Sequence, residues 1–307
     1  MQAKTGFLHE LKKNRVLFIM LIPTFLFFII NNYLPMIGIY FAFTKYDLRG
    51  GIFGSPFIGL KNFEFLWKSN ILLNITKNTV LYNTIFIFLG NTIQVFCAVL
   101  LSRLIGNAFR KITQTLMFLP YFVSYVIMGV LVYNLFNYEI GFINTMLREV
   151  GAEPLDVFNS PNLWYGLIPG FYLWKWVGYG TVIYLASILG ISSEYYEAAE
   201  LDGANIFQQV YHITLPLIKS TFIILILFAL GNIMKGQFDL FYQLIGNNGN
   251  LYQTTDIIDT YVYRSLISDF DIGIGSAAGL YQSIFGFILI MTVNLIVKKK
   301  NPEYALF

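Results

Sequence analysis

Thr79-Val-Leu-Tyr-Asn-Thr-Ile-Phe-Ile-Phe-Leu-Gly-Asn-Thr-Ile-Gln-Val-Phe-Cys-Ala-Val-Leu-Leu101 contains no acid, base or histidine. About 20 mostly apolar residues are needed to cross the hydrocarbon core as a helix, the form that satisfies every backbone amide internally. This stretch meets that requirement. Working outward, five more stretches do the same: Val16–Phe43, Thr115–Phe136, Leu163–Leu189, Leu217–Met234 and Gly275–Val297. The reading is an all-α integral membrane protein with six transmembrane helices.

Composition supports it. Of 307 residues, 56% are hydrophobic and 12% charged, and the mean hydropathy is +0.62. A soluble domain carries about a quarter charged residues, so an ordinary water-soluble enzyme is excluded. Thirty Phe and 21 Tyr suit lipid-facing surface and interfacial belts. A net charge of +3 with no basic stripe excludes nucleic-acid binding. The single cysteine, Cys97, allows no disulfide within the chain and reads as a small buried hydrophobe. No repeat or low-complexity tract divides the chain, so residues 1–307 form one membrane domain.

Lys and Arg are retained on the cytoplasmic side of short loops. The N-terminal tail carries Lys4, Lys12, Lys13 and Arg15, the loop after the second span Arg103, Arg110 and Lys111, and the C-terminus Lys298, Lys299 and Lys300. These segments alternate correctly for six spans with both termini cytoplasmic. The first outward loop opposes the trend with Lys45, Arg49, Lys61, Lys68 and Lys77, but it is long and carries Asp47 and Glu64. The basic N-terminus resembles a signal peptide, yet its apolar run is too long and lacks a small-residue cleavage site, so it reads as a retained helix.

Absences narrow the chemistry. No Asp or Glu lies within the six apolar cores, leaving no buried carboxylate for ion coupling; Asp239 is at an edge. The two histidines, His9 and His212, fall in loop segments, so intramembrane hydrolysis has no base or metal site. No phosphate-binding Gly-x-x-x-x-Gly-Lys-Ser/Thr loop is present. Any ATP used must be bound by another chain.

Between the fourth and fifth spans lies Ile191-Ser-Ser-Glu-Tyr-Tyr-Glu-Ala-Ala-Glu-Leu-Asp-Gly-Ala-Asn-Ile-Phe-Gln-Gln-Val-Tyr-His-Ile-Thr-Leu-Pro216, which the topology places in the cytoplasm. Ser193 is expected to cap a helix with Glu194 in its first turn, and Gly203 to end it in the left-handed conformation. A second helix is expected from Asn205 to His212, with Phe207, Val210 and Tyr211 on one face, and Pro216 in the first turn of the next helix. A plain amphipathic connector would satisfy the same hydropathy, but it does not need this residue order.

Glu197-Ala198-Ala199, Gly203, Ile213 and Leu215-Pro216 resemble, identity by identity and spacing by spacing, the Glu-Ala-Ala loop of permease subunits of ABC importers. Further stretches are similar to the carbohydrate-uptake permeases, and within them the LplB-type group associated with oligosaccharides and polysaccharide fragments. These are Gly54–Phe63, Arg110–Thr115, Leu119–Ser124, Trp174-Lys175 and the tail Lys298–Phe307. The resemblance implies a type I-like importer permease fold in a bacterial cytoplasmic membrane and a transport subunit that is not itself an enzyme. It implies four kinds of partner: a second related permease, two ATPase subunits carrying ATP and Mg, an extracellular solute-binding protein, and the surrounding lipid. It further implies that Glu197, Ala198, Ala199 and Gly203, with Asp202 and Ala204 beside them, dock on the ATPase as a coupling helix. Transport would then proceed by alternating access.

A sugar offers hydroxyls around an apolar face, so its pathway should offer aromatic planes with a few hydrogen-bonding groups. Candidates are Tyr125, Tyr133 and Asn134 on the third span, Tyr172, Trp174, Lys175 and Trp176 on the fourth, Asn232 and Lys235 on the fifth, and Tyr281 and Gln282 on the sixth. For any one aromatic, packing or lipid contact is the commoner role. Lys175 stands out, because a mid-membrane cation needs either a partner or a wet cavity; carbonyls would also satisfy it. Gly275-x-x-x-Gly279 reads as a helix-packing device, Asn74-Ile-Thr76 as an incidental sequon, and His212 as serving a helix end. Two alternatives stay open: a permease of this architecture for another solute, and a six-span channel or secondary transporter without an ATPase.

Overall fold

The computed structural model describes residues 12–47, 49–300 and 302–304; Lys4, His9 and the ends of the C-terminal tail lie outside them. Among the described residues helices connected by turns and short loops make up most of the chain, with one isolated bridge, Thr44 to Phe57, as the sole β pairing. The principal helices are α1 (Arg15–Phe28), α2 (Lys61–Lys68), α3 (Ile71–Ser102), α4 (Asn107–Phe118), α5 (Tyr125–Phe136), α6 (Phe142–Glu149), α7 (Trp164–Leu189), α8 (Ser193–Leu201), α9 (Ile206–Gln209), α10 (Lys219–Leu230), α11 (Phe238–Ile245), α12 (Ile258–Ile267) and α13 (Ile272–Lys300). The end of the bundle bearing residues 191–216 is called the base, the opposite end the crown.

Three helical runs are long and apolar enough to cross a membrane unaided: Arg15–Phe43, Ile71–Ser102 and Ile272–Lys299. Three bent pairs bring the number to 6 if each pair is one span. The third span, expected over Thr115–Phe136, is not one continuous helix: Asn107–Phe122 meets Tyr125–Phe136 at 93°. Pro120 starts the interruption by removing an amide donor, and Ser124, accepting from the Ile127 amide at 3.2 Å, caps the helix that follows. The fifth span also differs from Leu217–Met234: its helix runs Lys219–Leu230, and residues 231–235 leave helical geometry between Gly231 and Gly236.

The packed centre is the α3–α7 pair. Glycine allows its close approaches. A Cβ on Gly178 would lie 1.9 Å from the Met117 carbonyl oxygen, and one on Gly129 2.5 Å from that of Gln243, so neither site admits a side chain while the backbones stay in place. Near the crown, Tyr82, Phe86, Met128, Trp164, Leu240 and Phe241 form a buried core; Ala98, Leu101, Tyr184, Leu185 and Ile218 form a smaller one toward the base. In contrast, α1 has no buried residue, and its run packs on α13 mainly through Leu34–Phe43. Its exposed Val16, Met20, Phe25 and Phe27 are what lipid replaces water around.

Candidate functional sites: the base loop and two broken spans

At the base, the turn chemistry expected of residues 191–216 is present with one shift. The cap is Ser192, not Ser193: Ser192 keeps an extended backbone (φ −59°, ψ 135°) and accepts from the Glu194 amide, while Ser193 is already helical. Gly203 has φ +78°, a conformation that costs glycine nothing. Asn205 and Gln208 close a capping box, each side chain accepting from the other's amide at 2.8–2.9 Å. The second helix does not stop at His212. It widens over Val210–Thr214 and runs to Leu217, placing Pro216 inside the run, ahead of α10. The widened turn absorbs the amide hydrogen that Pro216 lacks. His212 Nδ1 donates to the Gln208 carbonyl at 3.1 Å.

The surface this builds is charged at its centre and apolar at its rim. Glu194, Glu197, Glu200 and Asp202 are exposed, and none forms an ion pair among the described residues. Ala199, Asp202, Gly203, Ala204, Gln208 and His212 line a groove between α8 and α9. Around it, Leu201 is 90% and Phe207 85% exposed, with Ile206 and Tyr211 also bare. Exposed apolar groups gathered in one patch are a feature of interaction sites. Sequence reading missed Leu201 and Ile206, although both flank the Gly203 turn.

In the middle of the bundle the pathway candidates fall into separate groups. Tyr125, Tyr172, Lys175 and Trp176 come together at the break between α4 and α5. Lys175 is 6% exposed; its Nζ donates to the Tyr121 carbonyl at 2.8 Å and to that of Val123, and lies 4.9 Å from the centre of the Tyr125 ring. Trp176 Nε1 donates to the Tyr125 hydroxyl at 3.0 Å, and Tyr172 stacks on Phe86 with ring centres 3.8 Å apart. Lys175 therefore takes the carbonyl-satisfied setting, filling the gap that the interrupted helix leaves. Tyr121, stacked 4.8 Å from Tyr179, and Phe118 extend this cluster into an aromatic wall.

The second group surrounds the 231–235 break. Asn83, a residue the candidate set lacked, donates from α3 to the Ile233 carbonyl at 2.9 Å and the Lys235 carbonyl at 3.1 Å. Gln282 donates to the Met234 carbonyl at 2.7 Å and to Asp259 at 2.9 Å, and Asp259 also accepts the Gly236 amide at 2.6 Å. The Lys235 side chain is exposed, and Asn232 donates back along its own helix to Phe228. Tyr281 accepts from Thr76 at 3.2 Å. The two breaks approach each other at Tyr125 and Gln237, whose polar oxygens are 3.5 Å apart. Tyr133 and Asn134 lie toward the far end of α5, and Trp174 is exposed on α7 with Tyr133 also bare, so these three stand outside both groups.

Burial places the Asp259 carboxyl above the usual carboxylate range, against the opposing pull of the Gly236 amide, Gln282 and Lys235. Nearer the crown surface, Asp256 and Arg264 form a two-pronged ion pair at 2.6 and 3.1 Å. No cluster of metal-ligating side chains occurs among the described residues.

Residues 90–301 match the family described as binding-protein-dependent transport system inner membrane component. The polygalacturonan/rhamnogalacturonan transport system permease protein YteP of Bacillus subtilis (strain 168) is 31% identical over 302 residues, 98% of this chain and 94% of the relative. Protein LplB of the same organism is 31% identical over 293 residues, 95% and 92% of the two chains. The structure is similar, with a TM-score of 0.86 and 29% identity over 95% of this chain and 98% of the other, to a crystal structure of a bacterial ABC transporter involved in the import of the acidic polysaccharide alginate. A helical bundle of three long apolar runs and three bent pairs, a base loop with the Glu-Ala-Ala spacing and this breadth of similarity lead to one assignment: the chain belongs to the binding-protein-dependent transport system inner membrane components, the permease subunits of ABC importers.

Proposed function

We propose that this chain is one half of the translocation pathway of an ATP-driven importer of oligosaccharides or polysaccharide fragments, in a bacterial cytoplasmic membrane with its base in the cytoplasm. The observation that carries the reading is the base surface, where four unpaired acids and paired small alanines are ringed by bare Leu201, Ile206, Phe207 and Tyr211. Such a surface fits a partner chain with basic groups and an apolar cleft. We assign that partner as one of two ATPase subunits holding ATP and Mg, with Glu197, Ala198, Ala199 and Gly203 at the contact and Asp202 and Ala204 beside it. A second related permease completes the pathway, and an extracellular binding protein delivers the solute at the crown.

Sugar as the solute rests on the aromatic wall at the α4–α5 break and on the substrates in the relatives' names. Ring faces suit the apolar side of a sugar, and hydroxyls such as that of Tyr125 supply direction. ATP-driven closure of the ATPases would move the base loop between two arrangements and so alternate access to the pathway.

The test is Glu197→Lys and Gly203→Val in the intact importer, with uptake measured beside membrane insertion. Both variants are expected to insert normally and to lose transport. Normal uptake in both would overturn the reading.

A further inference from the structure

Residues 191–216 form no side-chain hydrogen bond with the rest of the described chain except at one point. Arg103, the first residue beyond α3, donates from Nη1 to Gln209 Oε1 at 2.9 Å and lays its guanidinium over the Tyr196 ring, 4.8 Å from the centroid. Gln209 is 3% exposed and belongs to α9, whereas Tyr196 belongs to α8; Tyr196 in turn bonds Thr214 at 3.0 Å. One side chain thus holds both helices of the loop. Its planar fork can bond and stack at the same time, which an ammonium cannot.

The helix that Arg103 terminates continues unbroken for 32 residues, roughly 48 Å at 1.5 Å per residue. Along that length it grips the parts of the bundle that are not continuous helix. Asn83 holds the carbonyls of the 231–235 break. At the crown end Asn78 donates to the Gln253 and Asp256 carbonyls at 3.2 and 3.0 Å, and Thr79 accepts the Ile258 amide at 3.0 Å.

We propose that Arg103 is a positioning residue through which displacement of the base loop passes into α3, and that α3, as a rigid rod, carries it to the fifth-span break and the crown. This rests on the reading of residues 191–216 as the ATPase contact. It adds a route: the loop drives the second span through a side chain, in addition to driving the fifth span through the backbone.

The test uses the whole importer in nanodiscs. Replacing this chain's only cysteine, Cys97→Ser, in an assembly whose partner chains also lack cysteine, gives a background in which spin labels at Leu73→Cys on α3 and Val126→Cys on α5, both exposed positions, report the distance from the crown end of α3 to the break end of α5. ATP with Mg and vanadate is the probe. In the parent, trapping is expected to shift the distance distribution; in Arg103→Ala and in Gln209→Leu, assembled with the ATPase, the shifted fraction is expected to fall by about fivefold or more, within the range of energetic coupling between sites. Arg103→Lys is expected to recover part of the shift by restoring a cation over Tyr196. A full shift in either Arg103→Ala or Gln209→Leu overturns the proposal, and so does an unshifted distance in a parent assembly that hydrolyses ATP. A parent chain that binds no ATPase would instead count against the proposed function.

Discussion

The third and fifth spans are both interrupted, but the interruptions are held by different chemistry. At the first, one ammonium, Lys175, straddles the Tyr121 and Val123 carbonyls. At the second, a neutral amide, Asn83, straddles the Ile233 and Lys235 carbonyls while Gln282 takes the intervening Met234 carbonyl. The same two-carbonyl grip ends the first span, where Asn62 donates to Ala42 and Thr44 at 2.9 and 3.0 Å. Backbone that leaves helical geometry at membrane depth must be satisfied by protein, and carbonyls one residue apart suit a single donor group. The difference lies in redundancy: the third-span break hangs on one buried charge, whereas the fifth-span break is shared among Asn83, Gln282 and Asp259.

The largest expected effect follows from that single charge. Lys175→Met should leave two part-buried carbonyls unpaired at up to about 1–3 kcal/mol each, a loss sufficient to deplete folded protein, read as the monodisperse fraction and Tm in detergent. Survival with an unchanged Tm would mean that water, not Lys175, satisfies the break. Next is Gly178→Val, which forces α7 away from the Met117 carbonyl and carries Lys175 off its acceptors; overpacking of this kind costs about 1–3 kcal/mol. A double variant that loses no more than Lys175→Met alone would show that both act through the same break.

Asn83→Leu should cost less than Lys175→Met, about 1–2 kcal/mol, because Gln282 keeps its carbonyl. Combined with Gln282→Leu, the loss should exceed the sum of the single losses, the signature of shared support; simple additivity would show the two grips to be independent. The smallest effect is expected at Asp259. Its folded carboxyl, raised by burial, holds a proton more tightly than the unfolded one, so its contribution is full at low pH and is lost as pH rises through the folded value. Asp259→Asn keeps an acceptor for Gly236 and should change stability by less than ~1 kcal/mol while flattening its pH dependence just above the ordinary carboxylate range. A steeper dependence in the variant would contradict this assignment.

How far the sequence could be read follows from where each signal lies. Spans are local: an uncharged stretch such as Thr79–Leu101 is its own evidence, and the all-α membrane reading followed from six of them, whereas the type I-like permease fold came from the resemblance. The base loop is also local, since Gly203 and the residues around it occupy adjacent turns; the cap moved from Ser193 to Ser192, and the second helix ran on past His212 to Leu217. The breaks are not local. Pro120 hints at the first and the Gly231–Gly236 pair at the second, but their supports are remote in sequence. Lys175 lies 54 and 52 residues from its acceptors and Asn83 lies 150 and 152 from its own. Lys175 was conspicuous as a charge, yet nothing in its neighbourhood names the carbonyls it meets. Asn83 was not conspicuous at all, because an asparagine in an apolar helix has no sign of its partner. The resemblance had singled out Leu119–Ser124 and Trp174-Lys175 as separate stretches, and the structure joins them into one contact.

The grips also carry an order in time. Chain emerges from its N-terminus, so the Tyr121 and Val123 carbonyls enter the membrane before Lys175 exists to meet them, and the third span must wait for the fourth before its bend is secured. At the fifth span the sequence of events is reversed: Asn83 is already in place when its carbonyls arrive, and Gln282 locks them afterward. During synthesis one break is therefore an unmet need until α7 arrives, and the other a prepared seat.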